Sequence, residues 1–80
     1  MTAFSFQVVA ARGLLGWSPQ DLADAAGVSL SAVKRIEKTA GDLDPKSKSL
    51  QAVGMALASR GVVFTRDLSR IGVALDTRRR

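Results

Sequence analysis

Apolar residues recur at helical spacing along most of this chain and then switch to strict alternation near its end. Phe4, Val8, Ala11 and Leu15 fall at i, i+4, i+7 and i+11, one face of a first helix over Phe4 to Leu15. Phe6, Val9 and Ala10 widen that stripe and predict a well-buried helix, with Thr2 or Ser5 as its cap and Gly16 as its stop. Ser18-Pro19-Gln20-Asp21 is a helix start: a hydroxyl for an orphan amide, proline at the first position, and an acid three residues after the cap. Leu22, Ala25 and Ala26 predict the inner face of this second helix, about 19–26, and Gly27 ends it. Ser29 caps a third helix, about 30–38, with Val33 and Ile36 turned inward. Thr39 to Pro45 reads as a loop. Lys46 to Ser59 reads as a fourth helix with Leu50, Val53 and Leu57 buried, Gly54 and Ala58 alongside, and Gly61 as C-cap.

In GVVFTRDLSRIGVALD the period changes to two. Val62 and Phe64 alternate with Val63 and Thr65, and Ile71, Val73 and Leu75 alternate with Gly72, Ala74 and Asp76, which predicts a β-hairpin. The expected organisation is a helical domain over 1–61, a hairpin over 62–76 and a short, mobile basic tail over 77–80.

The segment SPQDLADAAGVSLSAVKRIE, residues 18–37, is the most telling. Two short amphipathic stretches flank Gly27, each opened by Ser, and the second carries Lys34 and Arg35 on its polar side. This is the layout of a helix-turn-helix, whose second helix enters the DNA major groove.

Composition narrows the alternatives. The chain has no Cys and no His, which excludes thiolate or zinc-finger metal sites, disulfides, histidine acid–base catalysis and Cys–His nucleophiles. No constellation suggests an enzyme, and no cofactor is expected. Eighty residues with 46% hydrophobic and 24% charged residues fit one small domain that needs an efficient core or a partner. No apolar run approaches the roughly 20 residues of a membrane span, and the N-terminal stretch lacks the basic start of a signal peptide, so a cytoplasmic protein is expected. Net charge is +5 and one-sided: residues 1–33 carry −1, while residues 34–80 carry eleven Lys or Arg against five Asp or Glu. Such a balance favours a polyanion partner.

The residues now resemble a known family, the phage lambda repressor and Cro-like helix-turn-helix domains of xenobiotic-response-element type. The matching positions are Arg12 and Gly16, Ser18, Leu22-Ala23, the turn Ala26-Gly27-Val28-Ser29, Val33 and Arg35-Ile36-Glu37, then Pro45 and Leu50. The likeness covers about residues 4–60, and the 61–64 and 72–75 pieces are similar to short regulators of this type that end in a hairpin. It implies a mostly α fold: a compact four-helix lambda-repressor-like domain with a C-terminal β-hairpin. It also implies a bacterial or phage regulator of transcription, nucleoid-associated when bound to DNA.

Carried over position by position, the resemblance places Leu30, Ser31, Lys34 and Arg35 towards the major groove and Ser29 and Lys38 towards the backbone. It places Arg12 and Glu37 where some members hold a buried ion pair. Members often have Gln directly after the helix-two cap; here Pro19 stands there and Gln20 follows, about 100° further round the helix. From its chemistry, Arg35 suits bidentate reading of guanine, with phosphate or solvent contact as the other readings. Lys34 suits phosphate, Leu30 a thymine methyl or packing on helix two, and Lys38, Lys46 and Lys48 a phosphate strand. Trp17 and the three Phe read as core.

Two functions follow. The first is a sequence-specific regulator on double-stranded DNA, as a homodimer paired through the hairpin edge. The second is a protein-interaction module, antitoxin-like or binding RNA polymerase, that uses the hairpin and for which DNA is secondary.

Overall fold

In the computed structural model, which describes residues 5–67 and 69–79 with no side-chain account of Arg79, four helices precede a two-stranded antiparallel hairpin. They are α1 (Ser5–Leu15), α2 (Pro19–Ala26), α3 (Leu30–Lys38) and α4 (Lys48–Ser59), then β1 (Val62–Arg66) and β2 (Ile71–Leu75), with a 3-10 turn at Thr77–Arg79. No helix among the described residues is long and apolar enough to cross a membrane.

The caps explain the boundaries. Ser18 accepts from the Asp21 N–H while the Asp21 carboxylate accepts from the Ser18 N–H, a reciprocal box that satisfies two donors at the start of α2. Gly27 closes α2 in the left-handed region, φ 69°, and donates to Ala23 and Asp24 carbonyls. Ser29 accepts from Ala32 at the start of α3. The fourth helix starts at Lys48, two residues later than its apolar spacing suggested, because Ser47 is the cap that accepts from Leu50. Lys46 lies in the preceding turn, its N–H bonded to Asp44. Arg60 is the C-cap of α4, and left-handed Gly61 follows it.

The core joins all four helices to the hairpin: Val8 and Ala11, Leu22 and Ala23, Val33 and Ile36, Leu50, Val53 and Leu57, and Val62. Leu43, from the segment read as a loop, is buried among them and plugs the gap between α3 and α4. In α2 it is Ala23, not Ala25, that lies beside Leu22 in the core, and in α4 Ala58 is exposed.

Helix α1 departs most from its reading. Phe6, Val9 and Ala10 are exposed, Phe6 by 54%, whereas Gln7 is buried at 1%. Its amide Nε2 donates to the Thr65 carbonyl at 3.1 Å and the Gly72 carbonyl at 2.9 Å, one on each strand. A polar side chain therefore points inward because the hairpin backbone offers it acceptors. Phe4 and Thr2, assigned to this helix from the pattern, and Leu68 of the hairpin turn lie outside the described residues. Of the remaining aromatic residues, Phe64 and Trp17 are half-buried against the core, and the Arg60 guanidinium stands 5.3 Å from the Trp17 ring centroid.

The hairpin pairs Val62 with Leu75, Phe64 with Val73 and Arg66 with Ile71. Val62, Phe64, Val73 and Leu75 thus share the inner face, and Val63, Thr65 and Ala74 face outward. Residues 77–79 form a turn, not a loose tail, and Arg78 folds back on Asp76 at 3.1 Å.

Candidate nucleic-acid interface

Helix α3 divides cleanly by angle. At about 100° per residue, Ser31, Lys34, Arg35 and Lys38 fall within one arc of roughly 100°, and Ala32, Val33 and Ile36 fall on the opposite side. The first four are exposed and the last three are buried. Leu30 and Glu37 sit on one flank, both partly buried. The basic face is therefore fixed by the burial of its own helix.

What holds α3 is an ion pair behind it. Arg12 Nε and Nη2 donate to the two carboxylate oxygens of Glu37 at 2.7 and 3.0 Å, a bidentate fork. The third contact, Arg12 Nη1 to the Trp17 carbonyl at 2.9 Å, ties in the link between α1 and α2. The pair is largely out of water, with 16% and 12% of the two side chains exposed. This is the pairing that the resemblance implied for these positions.

The other side chains singled out from the sequence fall into three groups. Ser29 Oγ accepts its cap bond and keeps its hydroxyl proton for an outside acceptor. Gln20 is exposed on α2, but its amide donates to Asp24 at 2.8 Å, a local bond that an outside acceptor would have to displace. Lys46 and Lys48 are exposed on either side of Ser47. An open groove of about 210 Å³ separates α3 from the start of α4, with Arg35 and Thr39 on one wall and Ser47 and Ser49 on the other. Thus Arg35 from α3 borders one groove with Ser47 and Ser49, the chain neighbours of Lys46 and Lys48, and Gln20 stands apart on α2.

Sequence reasoning missed Thr39, Ser47 and Ser49 as parts of this surface. Ser47 was legible, since a Ser three residues before buried Leu50 has cap spacing. Thr39 carried no such signal; its hydroxyl donates to the Arg35 carbonyl at 2.8 Å and ends the helix.

A helix-turn-helix with an outward basic arc on its second helix defines a class of DNA-binding domain. A helix-turn-helix family model matches residues 8–52, more than half of the chain, and the protein belongs to the lambda repressor/Cro-like helix-turn-helix family. This is a family of DNA-binding regulators and not typically one of enzymes. No curated protein matches the chain.

Proposed function

We propose that this protein is a sequence-specific regulator of transcription that binds double-stranded DNA as a homodimer, with α3 in the major groove. The observation that carries this reading is the arc of Ser31, Lys34, Arg35 and Lys38: exposed, on one face, and with no ion pair to the three cations among the described residues. Arg66 and Arg78 are exposed cations that are paired with carboxylates, whereas the three cations on this one face are not, which suits an external polyanion.

In this reading Arg35 spans guanine O6 and N7, Leu30 and Ser31 meet neighbouring base edges, and Lys34 stands over phosphate. Ser29, Lys38, Lys46 and Lys48 hold the backbone on both sides, and Gln20 contributes a weaker contact after leaving Asp24. Two copies bind half-sites about 34–36 Å apart, the spacing of one DNA turn.

The test is fluorescence anisotropy with random duplex DNA across a salt series. The expected log affinity falls linearly with log salt, with a slope of roughly −0.9 per phosphate contacted. Arg35→Ala should cost about 1–3 kcal/mol on a selected operator and relax the preference at one base pair. Absence of duplex binding at low salt overturns the proposal.

A further inference from the structure

Most exposed serines among the described residues use their hydroxyls locally. Ser18 and Ser29 cap helices, and Ser59 and Ser69 donate to the Ala56 carbonyl and the Asp67 carboxylate. Ser31 is exposed too, and its Oγ makes no hydrogen bond among the described residues. It is the second residue of α3, with Lys34 and Arg35 three and four positions further on. Side chains at these spacings are neighbours on a helix, their Cβ atoms about 5–6 Å apart. Both cations are exposed and have no ion-pair partner among the described residues. The acid of this helix, Glu37, is engaged in the Arg12 fork, and Asp44 across the groove from Arg35 accepts from the Lys46 N–H. The first turn of α3 holds no acidic residue, whereas in α2 Asp21 fills that place. The start of a helix favours negative charge. Position 31 therefore combines an unengaged hydroxyl, two unpaired cations within reach and a helix end without an anion.

We infer that Ser31 is a phosphorylation site whose modification turns the DNA face off. The inference rests on the DNA-binding reading for what is switched, and on the geometry of α3 for where. In the transfer, Ser31 Oγ attacks the γ-phosphorus of a nucleoside triphosphate held by a protein kinase. The bond from that phosphorus to its bridging oxygen breaks. The nucleoside diphosphate leaves with the electron pair, and the hydroxyl proton passes to a base of the kinase. Hydrolysis of the phosphomonoester by a phosphatase restores the serine and releases inorganic phosphate. Ser31 lies in the first turn of α3, so presenting it to an enzyme requires opening that turn and leaves Ile36 and the Glu37 fork in place.

The phosphoryl group brings a charge of about −1.5 to −2 at neutral pH and three acceptor oxygens. Lys34 and Arg35 supply donors to those oxygens from the same face, as charge-assisted hydrogen bonds. The core side of α3 is untouched, because Ala32, Val33 and Ile36 point the other way. The folded helix thus accepts the group, and its outward arc loses most of its positive charge. DNA does not accept it. The new anion stands where base edges and phosphates approach, and the two cations beside it are already paired within their own helix. One modification therefore removes attraction and adds repulsion at the same place.

The test uses the full 80-residue chain, made by chemical synthesis with phosphoserine at position 31 or, for comparison, at position 59. Ser59 is the last residue of α4, where a helix end disfavours negative charge. Phosphorus-31 NMR reads the second ionisation of the phosphate, ordinarily at about 6. Pairing with Lys34 and Arg35 is expected to bring it below that value, and Lys34→Gln with Arg35→Gln to return it. The melting temperature with phosphoserine at position 31 is expected to match or exceed that of the unmodified chain, and with phosphoserine at position 59 to fall. Affinity for a selected duplex, read by fluorescence anisotropy, is expected to drop roughly hundredfold for position 31 and far less for position 59. After treatment of the unmodified chain with ATP and a broad-specificity serine kinase, mass spectrometry is expected to find the phosphoryl group on Ser31. A phosphoryl group on other serines with Ser31 untouched overturns the inference. So does an ionisation at or above the ordinary value, or equal duplex affinity for the two synthetic phosphoproteins. The two readings fail separately. An unmodified chain that ignores duplex DNA defeats the regulator reading, while one that binds as tightly with phosphoserine at position 31 as without it defeats the switch alone.

Discussion

Gln7 and Gly72 are 65 positions apart in sequence, yet the amide of one donates to the carbonyl of the other at 2.9 Å. The same amide serves Thr65 on the opposite strand. One side chain on α1 therefore grips both strands of the hairpin from inside the molecule. No buried side-chain polar atom among the described residues lacks a partner, so burying Gln7 leaves nothing unsatisfied.

Replacing Gln7 with Leu keeps the volume and removes the donor. The expected loss is about 1–3 kcal/mol, because two part-buried hydrogen bonds worth about 0.5–1.5 kcal/mol each are removed. Hydrogen exchange should speed up first in residues 62–75 and leave α2 and α3 protected. Uniform acceleration across the chain would contradict a local grip.

Glu37→Ala leaves the Arg12 guanidinium without its fork in a site that is mostly closed to water. The expected cost is about 3 kcal/mol, the lower end for a broken buried pair. Denaturant unfolding measures it. A variant as stable as wild type would show that the pair contributes nothing to holding α3.

Gly61 has φ 89°, and a Cβ there would lie 2.5 Å from the Asp76 carbonyl oxygen. Gly61→Ala thus adds a backbone clash to a left-handed strain of roughly 1–2 kcal/mol. Gly41, with φ 76° and open space around it, supplies the comparison. The melting temperature of Gly61→Ala should fall well below that of Gly41→Ala; equal values would mean that the clash relaxes freely.

Asp67 accepts from the Ser69 and Arg70 N–H groups, both at 2.8 Å, and these backbone bonds hold its carboxyl below the usual aspartate value. A lowered folded value means that the turn is favoured with Asp67 ionised. Its contribution is complete above the ordinary aspartate range and disappears as acid takes the pH down through the lowered value. Amide resonances of Ser69 and Arg70 should follow that titration and lose it in Asp67→Asn.

The helices of the functional segment could be read because their signals are local. Ser18, Pro19, Gly27 and Ser29 act on backbone within four residues of themselves, and each does in the structure what its chemistry suggests. The alternation that marked the hairpin is equally local, and the two strands formed where it occurred. What stayed hidden depends on distant partners. Phe6 and Val9 look like core until α1 is seen to bury the face carrying Gln7, and that choice is made by carbonyls more than 50 residues away. Leu43 is unremarkable within a polar loop, and only the space between α3 and α4 gives it a place. Of the candidate site, α3 was legible because one helical period separates its wet and dry sides. The groove beside it was not, since its far wall comes from the cap of another helix.

The clean split of α3 has an evolutionary consequence. The contacts described for this helix lie off its outward arc: Ala32, Val33 and Ile36 are buried on the side away from Ser31, Lys34, Arg35 and Lys38, and the Glu37 fork is on the flank. Those four exposed positions can therefore be substituted with little expected effect on folding. On the proposed reading, a lineage that carries this scaffold can exchange its outward quartet like a set of type in a fixed frame, acquiring new targets without first losing a folded protein.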